Sequence, residues 1–206
     1  MTVLDRRIVS LQSPRFIPAP DLAQVPEALA GLEVQSIARG LVAVDALVKK
    51  AASRVVLANP VSPGKFLILL DGTVAEVEES LLEAERIAGD QKIDRVFLPY
   101  AHRQLEPAVF GVFPQRADAS VGIVECDTSC AGLRAADAAL KAAEVGMMVL
   151  HLSAGIGGKC WFAFAGDLYD VEASVLAAAD AATPNHLLGT EIIANPHAEF
   201  LAALGI

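Results

Sequence analysis

The chain has 206 residues, 54% of them hydrophobic and only 5% aromatic, which is material for one large domain or two small ones with a sizeable core. Sixteen basic against 25 acidic residues give a formal charge of -9, so a phosphate backbone is excluded as a main partner, since that needs clustered Lys and Arg. No apolar run approaches the roughly 20 residues of a membrane span, and the start MTVLDRRIVSLQSP lacks a signal-peptide pattern, so a cytoplasmic protein is expected that meets neither membrane nor nucleic acid.

Residues 1–27 carry Pro14, Pro18, Pro20 and Pro26, which deny them a long helix, and they form an N-terminal extension. From residue 28 the chain reads strand, helix, strand, loop, strand, helix, strand, with a short terminal helix. Continuous apolar runs predict strands near 29–35, 54–59, 65–71 and 94–99. Ser36 stands at the N-cap of the first helix, and Thr73 with Glu76 forms a capping box for the second. Between the second and third strands lies the tight loop "NPVSPGK", from Asn59 to Lys65. This element order is the split βαβ, ferredoxin-like arrangement of an α+β domain.

The segment 112–119 leads into a second copy. "EVQSIARGLVAVDALVKKA" from Glu33 aligns with "ECDTSCAGLRAADAALKAA" from Glu125, with Glu, Gly, Asp, Ala and Lys in register at an offset of 92. After a two-residue insertion, Gly64-Lys65 meets Gly158-Lys159, and a further shift sets His102 opposite His197. Thr128 takes the place of Ser36, Asp167 is placed to cap the later helix, and "SAGIGGK" from Ser153 replaces the Pro-Gly loop. The domains are therefore 28–113 and 119–206.

Cys126, Cys130 and Cys160 are odd in number and lack metal-site spacing, which makes them buried thiols rather than ligands. The duplicated histidines read as structural. "GIGGK" lacks the Ser or Thr of a phosphate-binding loop, and no catalytic constellation or dinucleotide fingerprint is present. Neither a catalytic residue, a metal nor a cofactor is expected.

The ordered set "VGIVE", "AADAALKAA", "GIGGK", "AGDLYDVEASV" and "PH", echoed in the first half by "LEVQSIARG", "VDALVKKA", "SPGK" and "DGTVAEVEES", resembles the bacterial microcompartment shell domain. The tandem, unpermuted copies are most similar to the single-pore trimers of the propanediol-utilisation type. The resemblance implies a non-enzymatic homotrimer shaped like a hexamer, set among hexamers and pentamers in a shell facet and passing small polar metabolites through a central pore. It implies that Val61, Ser62, Pro63 and Gly64 line the pore with Ser153, Ala154, Gly155, Ile156 and Gly157. Lys49, Lys141, His102, Asn195 and His197 fall at the tile edge, although Asn195 stands where many shell domains carry arginine. Lys65 and Lys159 beside the loops suggest a bias toward anions. The alternatives are a redox shell protein with an iron–sulfur cluster at the pore, for which Ser62 lacks the thiol, and a small-molecule sensor on a ferredoxin-like trimer.

Overall fold

The computed structural model describes residues 25–114, 120–182 and 185–204, so residues 1–24 of the extension and most of the linking segment lie outside it. The first copy runs β1 (Ala28–Val34), α1 (Ile37–Lys50), β2 (Arg54–Val61), β3 (Lys65–Gly72), α2 (Val74–Ala88), β4 (Lys92–Pro99) and α3 (Leu105–Val109). The second runs β5 (Ser120–Cys126), α4 (Ser129–Ala142), β6 (Gly146–Leu152), β7 (Cys160–Gly166), α5 (Leu168–Ala182), β8 (Leu187–Ile193) and α6 (Ala198–Leu204). Each copy forms one antiparallel sheet, in the orders β2-β3-β1-β4 and β6-β7-β5-β8. Strand β3 thus splits the β1-α1-β2 unit, which is the expected ferredoxin-like topology.

The helix starts follow from local chemistry. Ser36 accepts from Arg39 N–H and Thr128 from Ala131 N–H, each supplying one first-turn donor with an acceptor. Thr73 and Glu76 close the capping box reciprocally. Asp167 precedes α5, and its backbone carbonyl accepts from Val171 N–H at 2.9 Å.

Two helical glycines set how closely helix and sheet approach. A Cβ at Gly40 would lie 2.4 Å from the Phe66 ring, and one at the equivalent Gly132 would lie 2.1 Å from Cys160 Sγ. No side chain fits either contact.

The cores explain how the copies sit together. Leu32, Val34, Leu47, Phe66, Ile68 and Leu81 fill the space between the first sheet and its own helices α1 and α2. The opposite face of that sheet, with Leu29, Leu67, Leu69 and Val96, merges with the core of the second copy. Helix α4 makes the junction, packing on its own sheet, on α5, and on β1 and β4 of the first copy. Its counterpart α1 has no such cover among the described residues: Ile37, Leu41, Val42 and Val48 are exposed, whereas Ser129, Leu133 and Leu140 of α4 are buried.

Candidate functional site

The two loops singled out in the sequence lie side by side. In the first, Gly64 N–H donates to Val61 O at 2.8 Å, closing the turn between β2 and β3. In the second, Ser153 N–H donates to Lys159 O at 2.9 Å, and Gly155, Gly157 and Gly158 have φ of 76°, 70° and 89°, a region that glycine enters without steric cost. Gly155 N–H donates to Ser62 Oγ at 3.1 Å, and Lys65 Nζ reaches Gly158 O at 3.5 Å. A Cβ at Gly158 would stand 2.7 Å from Lys65 Cε and 3.0 Å from Ser62 O, so the close fit of the loops requires glycine there.

Of the nine loop positions, Pro63, Gly64, Gly155 and Gly157 are exposed, and Val61, Ser62, Ala154 and Ile156 are half-buried. Ser153 is buried beneath them. Its hydroxyl lies 2.5 Å from Ser129 Oγ and donates to Gly158 O at 2.9 Å, which ties the loop to the start of α4.

Below the loops is a charged arrangement not foreseen from the sequence. Lys65 Nζ lies 2.7 Å from Glu33 Oε2, with the lysine side chain 11% exposed and the glutamate 0%. The other carboxylate oxygen accepts the N–H groups of Ser129 and of Cys130, the latter at 3.1 Å. Glu33 therefore caps the helix of the other copy. Burial holds its carboxyl above the ordinary range, against the pull of the Lys65 ammonium and the two amides. In the second copy Lys159 pairs with Glu125 at 2.6 Å, but there the side chains are 50% and 41% exposed. Each loop lysine is balanced by a glutamate, so neither of these two lysines supplies an unpaired charge for the anion bias suggested by sequence. The clue was available: Glu33 and Glu125 align in the repeat, as do Lys65 and Lys159.

The five edge positions divide into two groups. Lys141 pairs with Asp137 at 2.5 Å, and Asp137 also accepts His102 N–H at 2.7 Å, which joins three residues at the junction of the copies. Burial, with Arg103 and Lys141 nearby, holds the His102 imidazole below its ordinary value, against the pull of Asp137. Lys49 pairs with Asp45 at 2.6 Å on the open face of α1, while Asn195 and His197 are exposed at the far end of the second sheet. Each histidine accepts through Nδ1 from the N–H two residues on, Gln104 and Glu199 respectively, which supports the structural reading of the pair.

All three thiols are buried away from the loop surface. Cys126 and Cys160 face each other across β5 and β7, and Cys130 sits on α4 near Gly31. Burial pushes Cys126 up to about 12 and the other two well above their usual value, the reverse of what a thiolate ligand needs. With serine at position 62, the loops offer no sulfur donor, and the iron–sulfur reading has no support.

A family model described as the BMC domain matches residues 28–100 and again 120–196. The bacterial microcompartment shell protein PduT of Citrobacter freundii is 37% identical over 172 residues, covering 83% of this chain and 94% of the relative. A microcompartment protein from Desulfitobacterium hafniense DCB has a similar structure, with a TM-score of 0.78, 33% identity, and coverage of 86% of this chain and 99% of that one. The fused permuted hexameric shell protein MSM0275 of the RMM microcompartment shares the fold, with a TM-score of 0.58 at 17% identity over 78% of this chain and 88% of that one.

Proposed function

The chain belongs to the BMC-domain family of bacterial microcompartment shell proteins, and from that premise we propose that three copies close into a pseudohexagonal ring with one central pore. The observation that carries this reading is the contact of the two loops through Gly155 N–H and Ser62 Oγ. Each chain brings an adjacent pair of loops, so three chains supply six around one axis. The junction inside the chain also gives a pattern for the junction between chains. Helix α4 covers the back of the first sheet, and the equivalent α1, uncovered among the described residues, is free to meet the back of another chain's second sheet.

The pore so formed offers backbone amides, the Ser62 hydroxyl and small apolar side chains, with the nearby lysines neutralised by glutamates. Such a constriction replaces part of the hydration of a small neutral polar solute and gives no strong preference by charge. The protein then acts without catalysis, as a facet tile and a passage. Lys49, Lys141, His102, Asn195 and His197 are the docking positions toward neighbouring hexamers and pentamers. Among the described residues no helix is long and apolar enough to cross a membrane, which fits a place in a protein shell.

Substituting Ser62→Phe tests the passage. The ring should assemble normally while flux of a small polar solute through reconstituted shells falls. Undiminished flux in a fully assembled variant would remove the pore assignment.

A further inference from the structure

Resting on the ring proposed above, we infer that the Glu125–Lys159 pair is half of an intersubunit site, completed by the first turn of helix α1 from a second copy of this chain. The half already complete within the chain defines the chemistry. Glu33 on β1 faces Leu67 of β3, and Glu125 on β5 faces Trp161 of β7 in the same register. Glu33 holds one lysine, Lys65, and accepts the first two helical N–H groups of α4, those of Ser129 and Cys130. Glu125 holds the equivalent lysine, Lys159, and among the described residues no amide.

The missing donors are on the same molecule but on its other open face. In α4 the N-cap Thr128 serves Ala131 N–H and leaves the first two amides to Glu33; in α1 the N-cap Ser36 serves Arg39 N–H. The first two amides of α1, Ile37 and Ala38, have no acceptor among the described residues. A carboxylate with spare oxygens and a helix start with spare amides are complementary in charge and hydrogen bonding. The same relation carries the Asp137–His102 contact onto Asp45, whose side chain is 63% exposed against 7% for Asp137, and onto the His197 N–H.

The two seams are not identical. Asp94, which takes the Thr128 hydroxyl and Arg134 in the internal seam, is paired with Glu33, whereas the residue paired with Glu125 is Gly189. Arg134 itself corresponds to Val42. The intermolecular seam thus lacks that ion pair, and Glu125 becomes its principal charged contact.

A double-mutant cycle on assembly tests this, using Glu125→Leu to remove the acceptor and Ile37→Pro to remove one donor. Proline is tolerated at the first helical position, and the extended Ser36 before it is compatible. Dissociation followed by light scattering across a dilution series should show each single variant needing about tenfold more protein for half-assembly, and the double variant no more than either, since both remove one charge-assisted contact. Circular dichroism melts check that each chain folds. Amide exchange at Ala38 reports the site directly: slow in the assembled wild type, fast in assembled Glu125→Leu. If the wild type assembles as trimers yet Ala38 exchanges fast, or the two substitutions act independently, the cap is overturned and the ring stands. If the wild type does not form trimers, the ring itself is overturned, and the cap with it.

Discussion

At the residue scale the structure turns on one buried ion pair. Glu33 has no exposure and Lys65 very little, and removing one member of such a pair leaves the other as an uncompensated charge in a low-dielectric setting. Replacing Lys65→Met should therefore destabilise the chain by about 3 kcal/mol at neutral pH, as measured by denaturant unfolding. The pH dependence has a definite sign. Because the Glu33 carboxyl is held above its ordinary value of 4.5, its contribution is fully favourable below that value and is lost as pH rises through the raised midpoint. Without Lys65 the midpoint rises further. The deficit of Lys65→Met should shrink as the solution is acidified toward 4.5, and a deficit that is constant with pH would mean that the methionine acts through packing alone.

At the element scale the duplicated glycines report how tightly helix and sheet are set. An exposed helical Gly→Ala change usually stabilises by about 1 kcal/mol. Here Gly40→Ala drives a methyl into Phe66 and Gly132→Ala drives one into Cys160, so each should destabilise by about 1 to 3 kcal/mol in thermal or denaturant melts. A gain in stability from either would show that the sheet yields easily. These elements also show what a sequence can disclose. The strands, helices and caps were legible because apolar runs, Ser36, Thr128 and the Thr73–Glu76 box act locally, and the repeat displays each signal twice. The meeting of the two loops was legible only through resemblance. That Ser153 turns inward, and that Glu33 caps α4 while neutralising Lys65, depends on strand register and on contacts 96 residues apart in the chain, as for Glu33 and Ser129. Hydrophobic periodicity carries no information about either.

At the scale of the whole molecule, duplication has let two similar domains take different environments. Among the described residues helix α4 is enclosed within the chain and α1 is open, which leaves the outer face of α1 and the half-buried Glu125–Trp161 end of the second sheet's back to meet in a closed ring. Beyond the ring, Lys49 and Lys141 are the proposed edge contacts. Changing both to alanine removes the exposed Lys49–Asp45 pair, worth well under about 1 kcal/mol to the fold, and takes Lys141 from Asp137, a buried carboxylate that keeps the His102 N–H. Trimers should persist in light scattering while electron micrographs show no extended sheets. Sheets like those of the wild type would displace these lysines from the edge.

The most direct test of the central claim is a cryo-electron microscopy reconstruction of the purified protein. The account predicts a closed threefold ring of three chains, with the loops around Ser62 and Gly155 facing the axis and the start of each α1 seated against Glu125 of its neighbour. A ring with those loops on its perimeter, or particles that do not close at three chains, would contradict it.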